Sequence, residues 1–138
     1  MEFSFLALLL VMALAYANGT NDVSKAIATL VGSGVTDYRT AIIWGTAWTV
    51  AGAGLSVFVA SAMLKTFSKG LILPGIVTPA ALALAILIGA MGWVLIASRT
   101  GLPVSTTHAL TGALVGAGLV SIGSQGLAWP AITGKIGL

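Results

Sequence analysis

Residues 15–26 read AYANGTNDVSKA, and they interrupt the apolar run MEFSFLALLLVMALAYA (1–17). A helix that crosses a bilayer stays apolar for about 20 residues. Here the run gives way after Ala17 to Asn18, Asn21, Asp22 and Lys25. The rest of the chain is nearly uncharged: of 138 residues, 58% are hydrophobic and 7% charged. A soluble domain carries about a quarter charged residues, so this composition marks an integral membrane protein. A polar cluster in such a chain must face protein or a water-filled cavity, because a charge turned toward lipid costs several kcal/mol.

On a helix, Asn18, Asn21, Asp22 and Lys25 fall three, four and seven residues apart and share one face, with Thr29 one turn further on. Asn-Gly is a turn-prone dipeptide, so Asn18-Gly19 predicts a first helix broken at that point. Unwinding would expose carbonyl and Asn/Asp oxygens, hard ligands suited to Na⁺ or to passing a proton. Asn18, Asn21, Asp22 and Lys25 are therefore candidates for cation coupling, with Asn21 and Asp22 as a possible Na⁺ site. The plainer alternative is that Asp22 and Lys25, three residues apart, neutralise each other and fix helix packing.

A second polar cluster reads GLPVSTTH (101–108). Pro103 cannot continue a preceding helix, and Ser105 or Thr106 is a natural N-cap for a following one. The first turn then offers backbone N–H groups without intrahelical partners, at a helix end carrying roughly half a positive charge. With the hydroxyls of Ser105, Thr106 and Thr107, this is a place where an anion can be held and released. His108 has no second His or carboxylate beside it at metal-ligand spacing, so no metal site is expected there. Oxygens on one broken helix facing an anion-friendly helix start on another are the parts of coupled transport.

Apolar segments at about 3–35, 40–64, 76–98 and 104–123 predict an all-α membrane protein with several spans. Lys65, Lys69 and Lys135 against Arg39 and Arg99 leave the orientation undecided. TLVGSG (29–34) and ALVGAG (113–118) form a faint internal echo. If each marks a helix end near the interface, both polar clusters lie about 15–20 Å inward, near the bilayer midplane. Six Lys/Arg against three Asp/Glu form no basic patch, which argues against a nucleic-acid partner. The chain has no cysteine and hence no disulfide or thiolate chemistry. Ala15-Tyr16-Ala17 has the small-x-small pattern of a leader cleavage site, but Glu2 and the lack of a basic start argue against cleavage.

GTNDVSKA (19–26) and PVSTTHALTGALVGAGL (103–119), about eighty residues apart, resemble the two hallmark stretches of one half of the inorganic phosphate transporter (PiT) family. The resemblance extends over nearly the whole chain. It implies secondary transport of inorganic phosphate, a symport with Na⁺ or H⁺ and no other cofactor. It also implies two inverted repeats, each with a broken helix and a re-entrant or short helical hairpin. Residues 1–138 would form a single transmembrane repeat. A fragment of a longer transporter is the expected reading; the alternative is a half-size protein that pairs antiparallel with a second copy. By this resemblance Ser105, Thr106 and Thr107 bind phosphate at the hairpin tip, with Thr100, Gly101 and Asp22 adjoining. Asn21 and Asp22 serve the coupling cation. Membrane lipid, the second repeat and a homo-oligomer are the expected partners, in a multi-pass protein of the cell (inner) membrane.

The chain departs from the family pattern at Lys25, where the motif carries a second Asn, and at Thr49, where a glutamate is common. An ammonium at Lys25 could take the electrostatic place of Na⁺ beside Asp22, leaving H⁺ to couple. Rival readings are a sulfate permease of the same architecture, a non-transporting membrane assembly subunit, and an intramembrane hydrolase using Ser105 or Thr107 with His108. The last lacks a G-x-S-x-G elbow and a separate histidine helix, so the chain is not read as an enzyme.

Overall fold

The computed structural model describes residues 2–61, 71–75 and 79–135. Its helices are α1 (Glu2–Gly32), α2 (Tyr38–Val59), α3 (Ala80–Thr100), α4 (Thr106–Ile122) and the short α5 (Trp129–Lys135), with a 3₁₀ turn at Ser124–Gly126. Among the described residues the extended pairing is confined to one isolated bridge, Ile72 with Leu127. Lys65 and Lys69, which entered the orientation count, lie outside the described residues.

Among the described residues three helices are long and apolar enough to cross a membrane: Ser4–Gly32 within α1, Tyr38–Phe58 within α2, and Ala80–Thr100. Most of their apolar surface is uncovered, as at Val57 and Phe58, 78% and 84% exposed. Such faces suit lipid or further helices rather than water.

α1 is the central element. The five-residue turn after it ends at Asp37, whose carboxylate accepts from the Thr40 amide at 3.0 Å and starts α2. α2 then runs back along α1. Val23 and Ile27 of α1 pack on Ala41 of α2, and Gly45 lies against both Val23 and Ile27. A Cβ on Gly45 would come within 2.9 Å of Ile27 Cγ2, so the missing side chain sets how close the helices come.

α3 and α4 form a second antiparallel pair, seen in the contacts of Gly89 with Ala113 and of Val94 with Ala109. Leu14 and Ala17 of α1 complete this core together with Ala90. The hairpin turns at residues 101–105 because α3 ends on Gly101, whose φ of 73° is a left-handed conformation that side chains resist. Pro103 then keeps the chain extended until Ser105 caps α4.

Two expectations are corrected. α1 is one continuous helix through Asn18-Gly19, not a broken one. Glycine inside a helix costs only about 1 kcal/mol. Opening the ladder would leave backbone groups unsatisfied, at several kcal/mol each in an apolar medium. The hydroxyls of Thr20 and Ser24 fold back onto the carbonyls of Ala17 (2.8 Å) and Thr20 (2.7 Å), leaving the ladder intact. The irregular backbone lies instead in the hairpin that faces this stretch.

The echo between residues 29–34 and 113–118 also fails as a structural equivalence. α1 ends at Gly32 within the first stretch, but α4 continues through the second to Ile122. Gly118 is needed there for packing: Leu127, buried with Leu71 and Leu114, approaches to 2.9 Å of where its Cβ would stand.

Candidate functional site

The hairpin tip is bound to the polar face of α1 by groups that the extended backbone leaves open. Asn21 is buried, 5% exposed, and its amide nitrogen donates to the Leu102 carbonyl at 3.2 Å. Its oxygen accepts from the Val104 amide at a long 3.5 Å. One turn on, Lys25 Nζ donates to the Val104 carbonyl at 2.8 Å and sits 3.0 Å from Asp22 Oδ1. On the other side of Asn21, the Thr106 hydroxyl donates to Asn18 Oδ1. Helical spacing on α1 thus matches three successive contacts on the tip, made by Asn18, Asn21 and Lys25, while Asp22 and Thr29 of the same face do not bond to it directly.

Two cavities flank this contact, the first of them mainly polar. One, of about 440 Å³, is an open cleft between Asn18, Asp22 and Lys25 on α1 and residues Pro103–Thr107 of the tip. It contains the first turn of α4, with the hydroxyls of Ser105, Thr106 and Thr107. The other, of about 280 Å³, lies beyond the tip among Thr20, Asn21, Ser24 and Lys25 of α1 and Ser98, Gly101, Leu102 and Pro103 of the hairpin. Lys25 and Pro103 border both.

The structure therefore divides the sequence candidates. Ser105, Thr106, Thr107, Asp22, Asn18 and Lys25 meet at the first cleft. Gly101 lines the second cavity and Asn21 is committed to holding the tip. Thr100 bonds back to Ile96 at 2.9 Å within its own helix. Thr49 does the same to Gly45 at 2.8 Å, and it lines a groove between α1 and α2 away from the tip.

Electrostatically the cleft is balanced: one carboxylate and one ammonium, both partly exposed. Its donors are the α4 helix start, the hydroxyls and the ammonium. Of the three ammonium protons, two have the partners just named, which leaves one for an anion or water. A third cleft, about 610 Å³, is lined by His108, Trp93 and small residues such as Gly89, Gly112 and Ala113, and it carries no carboxylate. The Ser105 oxygen accepts from the backbone amide of His108 at 3.4 Å, acting as the helix cap. Among the described residues no imidazole–hydroxyl pair of a hydrolase is formed.

Sequence reasoning missed the carbonyls of Leu102 and Val104 as the partners of Asn21 and Lys25. The available signal was Gly101 and Pro103, which oblige the intervening backbone to forgo helical bonds. It also missed Ser98, whose hydroxyl oxygen is buried without a hydrogen-bond partner beside the second cavity. Among the described residues no group of three or more His, Cys, Asp or Glu is placed to hold a metal ion.

Comparison with known proteins bears on this site. The model of the Phosphate transporter family matches residues 18–138. A Pyrococcus furiosus protein named as a phosphate permease is 38% identical over 90% of this chain and 30% of its own length. A Mycobacterium bovis protein named as a low-affinity inorganic phosphate transporter is 35% identical over 99% of this chain and 32% of its own. Among solved structures, one named the sodium-dependent phosphate transporter superposes with a TM-score of 0.71 at 32% identity. That superposition covers 95% of this chain and 33% of the other. The chain thus spans about a third of the length of the relatives it matches.

Proposed function

This chain belongs to the phosphate transporter family, and from that premise we propose that the protein carries inorganic phosphate across the membrane by secondary active transport. The family is one of transporters rather than enzymes. The observation that carries the reading is the cleft in which Asp22 and Lys25 face the hydroxyl-rich start of α4. Ser105, Thr107 and the open helix N–H groups donate to phosphate oxygens, and the Thr106 hydroxyl joins them once it leaves Asn18. Asp22 accepts from the hydroxyl that a partly protonated phosphate still bears, which disfavours a fully deprotonated anion. The sulfate alternative draws no support from the relatives named above.

In this reading the substrate and the coupling ion, Na⁺ or H⁺, meet where the hairpin tip touches α1. The α3–α4 pair acts as a re-entrant hairpin. The chain acts as one of two inverted repeats of a multi-pass protein of the cell membrane, opposite the second repeat or an antiparallel second copy. Transport requires the tip contacts made by Asn18, Asn21 and Lys25 to open and close in turn, alternating access to the cleft.

The test is uptake of radiolabelled phosphate by the full-length protein in proteoliposomes, with unlabelled phosphate or sulfate as competitor. Phosphate should compete and sulfate should not, and Asp22→Asn should lower uptake strongly. An Asp22→Asn variant with unchanged uptake would overturn the assignment of this cleft. A wild-type protein without uptake would favour the non-transporting assembly subunit.

A further inference from the structure

Lys25 has a geometry that phosphate binding alone does not require. Its ammonium lies between a carboxylate oxygen of its own helix, Asp22 Oδ1 at 3.0 Å, and a backbone carbonyl of the opposing tip, Val104 O at 2.8 Å. The neighbouring tip carbonyl, that of Leu102, also turns toward α1 and takes the Asn21 amide. A carboxylate oxygen and the Val104 carbonyl meet at the ammonium, oxygens of the kind that hold a small hard cation, with the Leu102 carbonyl one position away on Asn21. In this chain that point is filled by a charge on a covalent stem. A free cation cannot share it, because two unit positive charges at contact distance repel strongly.

We propose that Lys25 is a tethered cation: whenever the tip is docked its own side chain supplies the positive charge at Asp22 and the Val104 carbonyl, so that docking of the tip on α1 neither requires nor releases a dissociable cation at this contact. This inference rests on the phosphate-transport reading for its transport readout only. Lys25 borders both cavities, so whatever occupies this point also sets the charge on either side of the tip. A lysine that merely packed would be interchangeable with another long side chain. A lysine standing in for an ion is replaceable by that ion once a short, neutral, oxygen-bearing side chain makes room.

The test compares wild type with Lys25→Asn in the full-length protein, using sodium against choline at constant ionic strength. In proteoliposomes, sodium should stimulate phosphate uptake by Lys25→Asn about tenfold more than it stimulates the wild type, the effect of one cation site of ordinary affinity. In detergent, sodium should raise the melting temperature of Lys25→Asn more than that of the wild type, since it binds the folded state of the variant alone at this point. Equal sodium responses of the two proteins in the melting experiment would overturn the proposal. If wild type transports no phosphate in any salt, the transport reading falls, while the melting comparison still decides the role of Lys25. Should Lys25→Asn fail to fold, Lys25→Gln carries the same amide on a longer stem and is scored in the same way.

Discussion

Removing the Asn21 side chain isolates the clamp between the hairpin tip and α1. In Asn21→Ala, the Leu102 carbonyl loses its 3.2 Å donor and the Val104 amide its 3.5 Å acceptor. The first bond has ordinary length and contributes about 1 kcal/mol, while the second is at the long limit and contributes little. The carbonyl belongs to an exposed residue and the bond is only part-buried, so water replaces the lost donor and no further burial penalty is added. The Lys25–Val104 bond survives the change, so the tip is loosened rather than released. A net loss of about 1 kcal/mol corresponds to a roughly fivefold rise in the undocked tip population. Hydrogen exchange read by mass spectrometry on the full-length protein measures this directly at the Val104 amide. The Leu102 amide, bonded to Ala97 at 2.9 Å in the α3 cap, is the internal control and should stay protected. Asn21→Asp should loosen the tip further, because a carboxylate then faces the Leu102 carbonyl. The reasoning is refuted if both variants exchange at Val104 within about twofold of the wild type.

Gly45→Ala forces a methyl to within 2.9 Å of Ile27 and 3.2 Å of Val23, both stiff β-branched side chains, and should destabilise by about 1–3 kcal/mol in a thermal melt. Ser105→Ala removes the α4 cap, whose 3.4 Å bond to the His108 amide is long; the expected cost is about 1 kcal/mol or less, and Ser105→Thr should restore it. The Asp37 carboxyl is held below the usual carboxylate range by hydrogen bonds from the Thr40 side chain and backbone. A lowered folded pKa means that the cap contributes above the unfolded value, near 3.9, and is lost as pH falls through the folded one. Asp37→Ala should therefore lower the melting temperature at pH 7, with the difference from wild type shrinking below about pH 4.

Much of the architecture was legible from composition alone. A chain with 7% charged residues must solve its backbone hydrogen bonds internally, and helices are the local solution. The stop before α4 was legible from Pro103, a ring without an N–H, whereas the left-handed Gly101 that ends α3 was a finding of the structure. The polar face of α1 was legible from the spacing of Asn18, Asn21, Asp22 and Lys25. The break assigned to Asn18-Gly19 was misread because local turn preference is weak beside a full helical ladder in an apolar setting. The likeness of residues 29–34 to 113–118 misled because glycine marks a helix end in one place and a close packing contact in the other.

The sequence by itself determined which residues carry polarity into an apolar chain and where one helix must stop. Both follow from local chemistry: side-chain period and ring closure. Only the tertiary structure decided what those residues touch. It set the Asn21 amide against the Leu102 carbonyl, and it placed Gly101 beside the second cavity. It also set the Lys25 ammonium between Asp22 and Val104, residues whose atoms meet across 79 positions of chain in the lysine–carbonyl bond. The carbonyls of an extended tip carry no side-chain signature, so their partners become apparent only when two helices and a turn are packed together.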